Sequence, residues 1–445
     1  MPPRTDTIAA VATAQGRGGI GVIRVSGPMS LAIAQGILGK APTTRHAHYT
    51  DFLDGNGQPI DQGILLFYKA PYSYTGEDVV ELQGHGGVAV MQLMLQRCLA
   101  LGAKLAEPGE FTRRAYLNDK LDLAQAEGVA DLIDATTTQA ARSAIRSLNG
   151  EFSSVVENLV SQLINLRMLV EAMLDFPEED VDQIDLDKRN KQLATIRDSV
   201  RVTLETAKQG SLLREGAYVA LVGQPNVGKS SLLNRLSGEQ VALVSDIPGT
   251  TRDVIRKEIQ IDGVPLHIMD TAGLRESSDS IEMMGIALTH ETLQKADLIL
   301  LLKDASRADS TEDLEILRQL PKSIPRLLVL NKIDLCLGLL PNPADTESIA
   351  VSAKSGQGID KLRARLLELV GWSNQENGIF MARERHLIAL TDAESKLAQA
   401  AAVINYPELF AEELRLAQAS LNSITGEFTA DDLLGEIFSR FCIGK

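Results

Sequence analysis

The run AYVALVGQPNVGKSSLLNRLSG, residues 217–238, constrains this chain more than any other. An apolar, strand-like stretch enters GQPNVGKSS and a helix-like stretch leaves it. In that context the pattern G-x-x-x-x-G-K-[ST] carries weight. Gly223, Gly228, Lys229 and Ser230 fill its four defining positions, and Asn226, Val227 and Ser231 complete the loop. Glycines let successive backbone N–H groups turn inward around a phosphate. A lysine at 229 neutralises β- and γ-phosphates, and the Ser230 hydroxyl is suited to Mg²⁺. A strand, this loop and a helix in succession predict a mostly parallel sheet with alternating helices.

Three downstream strings narrow the nucleotide. DTAG, Asp270, Thr271, Ala272 and Gly273, ends a strand-like stretch and puts Asp270 where a metal-side carboxylate belongs. NKID at 331–334 follows the apolar RLLVL. A carboxylate at Asp334 accepts both donors on the guanine edge, N1–H and the exocyclic amine, a pair that adenine lacks. Asn331 and Lys332 precede it, and Ser352, Ala353 and Lys354 follow the strand-like SIAV to complete a base-binding loop. Four motifs in this order, each after a predicted strand, identify a GTPase.

Between the phosphate loop and DTAG lies SDIPGTTRD, with Ser245, Asp246, Ile247, Pro248, Gly249, Thr250 and Thr251. A switch threonine is needed here to complete the Mg²⁺ shell and sense the γ-phosphate. Thr250 and Thr251 are adjacent candidates, and the residues alone do not choose. Ras-like proteins put a water-orienting glutamine directly after the DTAG glycine; this chain has Leu274. No clear arginine finger stands in the sequence either. Asn226 could hold a monovalent cation at the same phosphates, or could simply bond backbone at the helix start.

The 445 residues carry a net charge of −15, which argues against a protein coated by nucleic acid. Any RNA contact would need a local patch or a partner. Basic clusters occur at Arg113–Arg114, Arg142 with Arg146, and Arg383 with Arg385, each read first as a solvated helix face. Three cysteines do not make a disulfide framework, no run of 18 apolar residues predicts a membrane span, and the N-terminus lacks a secretory pattern. The expected location is the cytoplasm.

Along the chain, residues 1–118 read as mixed α/β and 119–210 as helical, with apolar residues at helical spacing from Val155 to Leu174. Residues 216–372 carry the GTPase motifs, with GLLPNPADTE as a surface loop, and 380–445 return to helix. Neither helical stretch makes a core alone. The expectation is that they pack on each other, with the GTPase domain inserted between them.

The motifs GQPNVGKSSLLN, SDIPGTTRD, DTAGLR, NKID and the C-terminal FCIGK together resemble the MnmE (TrmE) family of tRNA-modification GTPases. The N-terminal segments GRGGIGVIRVSGP, SYTGEDVVELQGHGG and PGEFTRRAYLNDKLDLAQAEGVADLI extend the likeness over the whole chain. The resemblance implies an N-terminal α/β tetrahydrofolate-binding-like domain that dimerises, a split helical domain and an inserted P-loop domain. It implies K⁺ held by Asn226, Ser245, Ile247 and Thr250, with Mg²⁺ on Ser230 and Thr251. Family members often carry Thr where this chain has Ser245, a mild departure. Glu282 matches the family's water-orienting glutamate; by residue type alone it is an exposed helix acid.

The same resemblance implies a folate pocket, for 5-formyl- or methylene-tetrahydrofolate, from Arg24, Glu81, Lys120 and Lys445, with Cys442 at the modification site. By residue type alone, Arg24 and Lys120 read as surface charge and Glu81 as a solvated residue at a strand edge. The tail is a poor prenylation box, since Gly444 is not aliphatic and Lys445 is a poor last residue. The implied protein is a homodimeric, K⁺-stimulated GTPase. It would act with an MnmG-like FAD protein, two copies of each, on the wobble uridine of tRNA. A GTP-switched RNA-binding assembly factor is the alternative from another class, and a dimerising scaffold with incidental hydrolysis a second. Assembly factors often place a GXXG loop after the GTPase domain; here GRGG and GILG lie near the N-terminus.

Overall fold

The computed structural model describes residues 6–14, 16–175, 183–237, 256–270, 293–307, 313, 316–318, 320–336, 348–373, 378–426 and 444. The chain divides into two compact units. One comprises Met1–Ala130, Leu148–Asp180 and Ala402–Lys445; the other comprises Asp131–Ser147 and Val181–Ala401.

The first unit is built on a six-stranded sheet. Its strands are β1 (Ile8–Val11), β2 (Gly18–Ser26), β3 (His48–Leu53), β4 (Pro59–Tyr68), β5 (Val79–Gly86) and β6 (Lys104–Leu105), ordered β3-β4-β5-β2-β1-β6. Only β1 and β6 pair in parallel. Alternate residues of β2, Ile23 and Val25, and of β5, Val80 and Leu82, face a core with helices α1 (Ser30–Leu38) and α2 (Val88–Ala100). This is the period of two expected of a sheet covered on one face. Helices α3 (Glu110–Leu117) and α4 (Leu123–Asp134) follow.

Two long helices complete this unit, α6 (Glu151–Asp175) and, after the excursion into the second unit, α11 (Pro407–Thr425). Their fully buried residues run Phe152, Val156, Leu159, Leu163, Leu166, Val170 and Phe410, Leu414, Ala417, Leu421, Ile424. Alternating steps of four and three make a narrow seam on each helix, the pattern that lets two helices interlock. Arg167 Nη1 donates to Gln418 Oε1 across the pair at 2.6 Å. Helices separated by more than 200 residues in sequence therefore pack along one seam, while α7 (Gln183–Glu215) and α10 (Glu384–Ala402), from the same two helical stretches, fall wholly or mostly in the second unit.

The second unit carries β7 (Ala217–Gly223), β8 (Arg256–Ile261), β9 (Val264–Asp270), β10 (Leu298–Asp304), β11 (Arg326–Asn331) and β12 (Ser348–Ala350), ordered β12-β11-β10-β7-β9-β8. All neighbours are parallel except the β8–β9 hairpin. The central strand β10, LILLLKD, is buried along six consecutive residues, as a parallel strand covered on both faces must be. Helices α8 (Lys229–Ser237) and α9 (Ile359–Leu369) contribute Leu232, Leu236, Leu362 and Leu366 to one core.

Helices α5 (Thr138–Leu148), α7 (Gln183–Glu215) and α10 (Glu384–Ala402) lie wholly or mostly in the second unit. Asp131, 6% exposed, joins the last turn of α4 to α7 and to the residue before α10: one carboxylate oxygen accepts from Arg214 Nε at 2.9 Å and from Arg383 Nη2 at 2.8 Å. Arg383 is thus a structural cation rather than part of a solvated face.

Candidate functional site: a phosphate loop and a base loop at one sheet end

The carboxyl ends of β7, β10 and β11 come level in the parallel register, with Leu302 beside Gly223 and Asp304 beside Asn331. Ligands of open parallel sheets bind beyond such ends. Here the phosphate loop leaves β7 and NKID leaves β11.

Within the phosphate loop, Asn226 has φ +63° and Gly228 φ +97°, both left-handed. Lys229 is buried, its Nζ donating to the carbonyls of Gly223 at 2.7 Å and Gln224 at 3.4 Å. The ammonium therefore lies across the mouth of its own loop. Ser230 stands exposed in the first turn of α8. Asn226 is exposed, and its side chain makes no hydrogen bond among the described residues.

The base loop is fastened to the phosphate loop. The Asn331 amide, 1% exposed, donates to Val227 O at 2.9 Å and accepts from Ala353 N at 3.0 Å. Gly228 must be glycine for this reason: a Cβ there would land on Asn331 Nδ2. Ser352, fully buried, donates through Oγ to Asp334 Oδ1 at 2.6 Å and accepts from Ser355 N at 3.0 Å. That fixes one oxygen of the Asp334 carboxylate in place. Asn226–Ser231, Asn331–Asp334 and Ser352–Lys354 are thus brought to one end of one sheet.

One participant escaped sequence reading. Asp304, the last residue of β10, pairs with Lys332 Nζ at 2.8 Å. Burial pushes its carboxyl pKa up, but the Lys332 and Ser306 bonds outweigh burial and hold it below its ordinary value. The one available signal was the acid ending an apolar strand, LILLLKD.

A second cluster forms in the first unit. The β2–β5 register sets Arg24 opposite Glu81. Arg24 donates from Nε and Nη2 to Glu81 Oε1 at 3.1 and 3.0 Å, and from Nη1 to Gly444 O at 3.4 Å. Its guanidinium lies 5.4 Å from the Tyr74 ring centre and 5.7 Å from that of Phe111. Both expectations from residue type fail here. Glu81 lies on β5, between β4 and β2, not on an edge, and Arg24 is half-buried and paired. Lys120 stays exposed and donates to Pro71 O at 3.2 Å; no described bond links it to Arg24 or Glu81.

Arg114 corrects another expectation. It is no solvated helix residue: at 3% exposure it bonds Asp6, Glu77 and Glu110 at 2.8–3.2 Å. Three carboxylates around one guanidinium tie α3 to the 73–78 loop, and so hold Phe111 and Tyr74 against Arg24. The Tyr74 hydroxyl is fixed 2.8 Å from Thr112 Oγ1.

Ser245, Asp246, Ile247, Pro248, Gly249, Thr250, Thr251, Thr271, Ala272, Gly273, Leu274, Glu282, Cys442, Lys445 and the loop GLLPNPADTE lie outside the described residues, as does the Asp270 side chain.

A parallel sheet with a phosphate loop and a guanine-type base loop at its carboxyl end defines a P-loop GTPase. The family model "GTP-binding protein TrmE N-terminus" matches residues 7–120 and "MnmE helical domain" matches 123–442. A Nitrosomonas europaea protein named tRNA modification GTPase MnmE is 59% identical over 447 residues, covering 99% of both chains. The protein of that name from Thiobacillus denitrificans is 59% identical over 445 residues, covering 100% of this chain and 99% of its own. A solved structure of Aquifex aeolicus Era bound to GDP·AlF4⁻ is 31% identical over 40% of this chain and 66% of its own; its TM-score of 0.28 is too low to bear on the fold. The chain belongs to the MnmE family of tRNA modification GTPases: it is a GTP hydrolase that serves tRNA modification.

Proposed function

We propose that the protein is a K⁺-stimulated GTPase. In this reading it works with an MnmG-like FAD protein, two copies of each, to add an aminomethyl or carboxymethylaminomethyl group at C5 of the wobble uridine. A tetrahydrofolate, 5-formyl or methylene, is the one-carbon donor. The four segments 1–118, 119–210, 216–372 and 380–445 act as folate-binding and dimerisation, helical, GTPase and helical parts. The working compartment is the cytoplasm; no described helix is long and apolar enough to cross a membrane.

The observation that carries the cation role is Asn226. Its backbone is left-handed, and its exposed side chain, which makes no hydrogen bond among the described residues, puts an amide oxygen at the phosphate loop. Together with Ser245, Ile247 and Thr250 it offers only oxygen donors, the set an alkali ion accepts. K⁺ there would supply positive charge where other GTPases use an arginine finger, an element worth about 10³–10⁵ in rate. Ser230, at the head of α8, suits Mg²⁺ with Thr251, and Asp270 ends β9 on the metal side. Glu282 orients water in place of the absent glutamine. Replacing K⁺ by Na⁺ at constant ionic strength should lower turnover sharply; equal rates in the two salts would remove the cation role.

The folate reading is supported by Glu81, Arg24 and Gly444. Arg24 occupies one oxygen of Glu81 and leaves Oε2 without a described partner. A carboxylate so held accepts paired N–H donors such as a pterin edge presents, beside two aromatic rings. Lys120 and Lys445 would meet the anionic end of the folate, and Cys442 would lie at the site of transfer. Folate titration of the full chain, against Glu81→Gln, tests the assignment: an unchanged affinity in the variant would end it. Mass analysis of tRNA wobble uridines from cells lacking the protein tests the whole reading, which predicts unmodified C5.

A further inference from the structure

We propose that Asp304 positions the lysine of the base loop, so that guanine-nucleotide affinity depends on a carboxylate outside all four sequence motifs. The inference rests on the reading of Asn331–Asp334 as the base-recognition loop.

Each polar side chain of that loop has its own partner. Asn331 is held by Val227 and Ala353, and Asp334 by Ser352. All three partners belong to the motifs themselves. The Lys332 side chain is held by Asp304, on the neighbouring strand and 28 residues earlier. Parallel β10–β11 pairing sets Asp304 beside Asn331, one residue short of Lys332, at the sheet end where a ligand would lie.

Lys332 adopts φ +66° and ψ +33°, a conformation that non-glycine residues seldom take unless the surroundings impose it. The surroundings do so at both ends. Its neighbours are tied by backbone bonds, Ala305 N to Asn331 O at 2.8 Å and Ile333 N to Val351 O at 3.3 Å. Its side-chain tip is tied by Asp304 Oδ2. The carboxylate is itself fixed, since Oδ1 accepts from Ser306 N at 3.0 Å and Ser306 Oγ at 2.6 Å. Asp304 is 7% exposed in its side chain against 28% for Lys332, so the anchor is desolvated and the stem is accessible. Arg307 Nε stands 3.7 Å from Oδ2, but Arg307 is 74% exposed and a weaker competitor.

A lysine left to itself samples many rotamers, and ordering it on binding weakens affinity. Asp304 orders the stem in advance. Asp304 touches no nucleotide in this account; it is a positioning residue.

The test uses the full-length protein and GDP. Asp304→Asn keeps the shape and removes the charge. It should raise Kd for GDP, and KM for GTP, by about tenfold, the size expected for releasing one long side chain, while kcat moves less than about twofold. Lys332→Met should also weaken GDP, and Asp304→Asn added to Lys332→Met should weaken it no further. Ser306→Ala, which retains the charge but frees the carboxylate, should give a smaller loss of about two- to threefold and serves if Asp304→Asn folds poorly. Wild-type affinity in Asp304→Asn, or in Ser306→Ala, overturns the proposal, as do losses that multiply in the double variant. Asp334→Asn separates the proposal from its premise. Trading an acceptor for a donor should shift preference from guanine to xanthine nucleotides, since xanthine carries a carbonyl in place of the amine. If that shift occurs and Asp304→Asn is silent, only the positioning role fails; if it does not occur, the base-loop reading fails, and the positioning role with it.

Discussion

Gly228→Ala is the substitution whose effect the geometry specifies most closely. Two costs combine. Gly228 sits at φ +97°, and a residue with a Cβ in left-handed backbone costs about 1–2 kcal/mol. The new Cβ would also land on Asn331 Nδ2, which donates to Val227 O from a site 1% exposed. Moving the amide aside strands a buried donor and acceptor, a loss of about 1–3 kcal/mol. The sum, about 2–5 kcal/mol, falls on the joint between phosphate loop and base loop. Expressed as affinity it corresponds to a roughly 30-fold to several-thousand-fold rise in Kd for GDP. Calorimetric titration of GDP into the full-length variant measures it. Gly57→Ala is the control: φ is +77° there but nothing lies within 4 Å of the added carbon, so only the conformational cost applies and GDP affinity should hold. A Gly228→Ala protein within about threefold of wild-type affinity would refute the reasoning, because neither cost could then be real.

Asp131→Ala should lower the thermal midpoint of the P-loop unit by removing the common acceptor of Arg214 and Arg383. Breaking such a buried pair costs about 3–5 kcal/mol, and the lower end applies because Arg214 is partly exposed; an unchanged midpoint would contradict the clamp. Burial raises the Asp61 carboxyl pKa, but bonds from the His85 side chain and backbone bring it below the ordinary 3.8. Asp61 therefore stabilises its unit above that pH and ceases to as pH falls through the lowered value. Urea melts at pH 5 and pH 3 should show a smaller acid loss in Asp61→Asn than in wild type; equal losses would exclude the role. The Cys98 thiol, pushed up to about 12 by burial against the pull of Arg97, should resist alkylation at pH 8 until the protein is denatured, as peptide mapping would report.

Legibility followed the range of the interaction. The strands entering each nucleotide motif were readable because local apolar runs and loop glycines announce them, and β7, β9, β11 and β12 stand where the motifs required. Strand β3, HYTDFL, gave little signal: it is an edge strand with one fully buried residue. The α6–α11 seam was expected because each helix alone leaves an apolar stripe unburied. Arg114 was misread since nothing near it in sequence tells that Asp6 and Glu77 converge on it. Asp304 was unseen because its partner arrives from the next strand.

By itself, then, the amino-acid order determined a phosphate loop, a guanine-reading loop and two amphipathic helical stretches needing each other. Those features are written within a few turns of chain, where residue type and spacing dictate backbone shape and periodic burial. Only the tertiary structure decided that Arg24 faces Glu81, that Asn331 clasps the backbone of Val227, and that Asp304 holds Lys332. Those pairings depend on strand register and sheet order, which arise from the packing of whole layers. A shift of one residue in register would point every side chain of a strand to the other face.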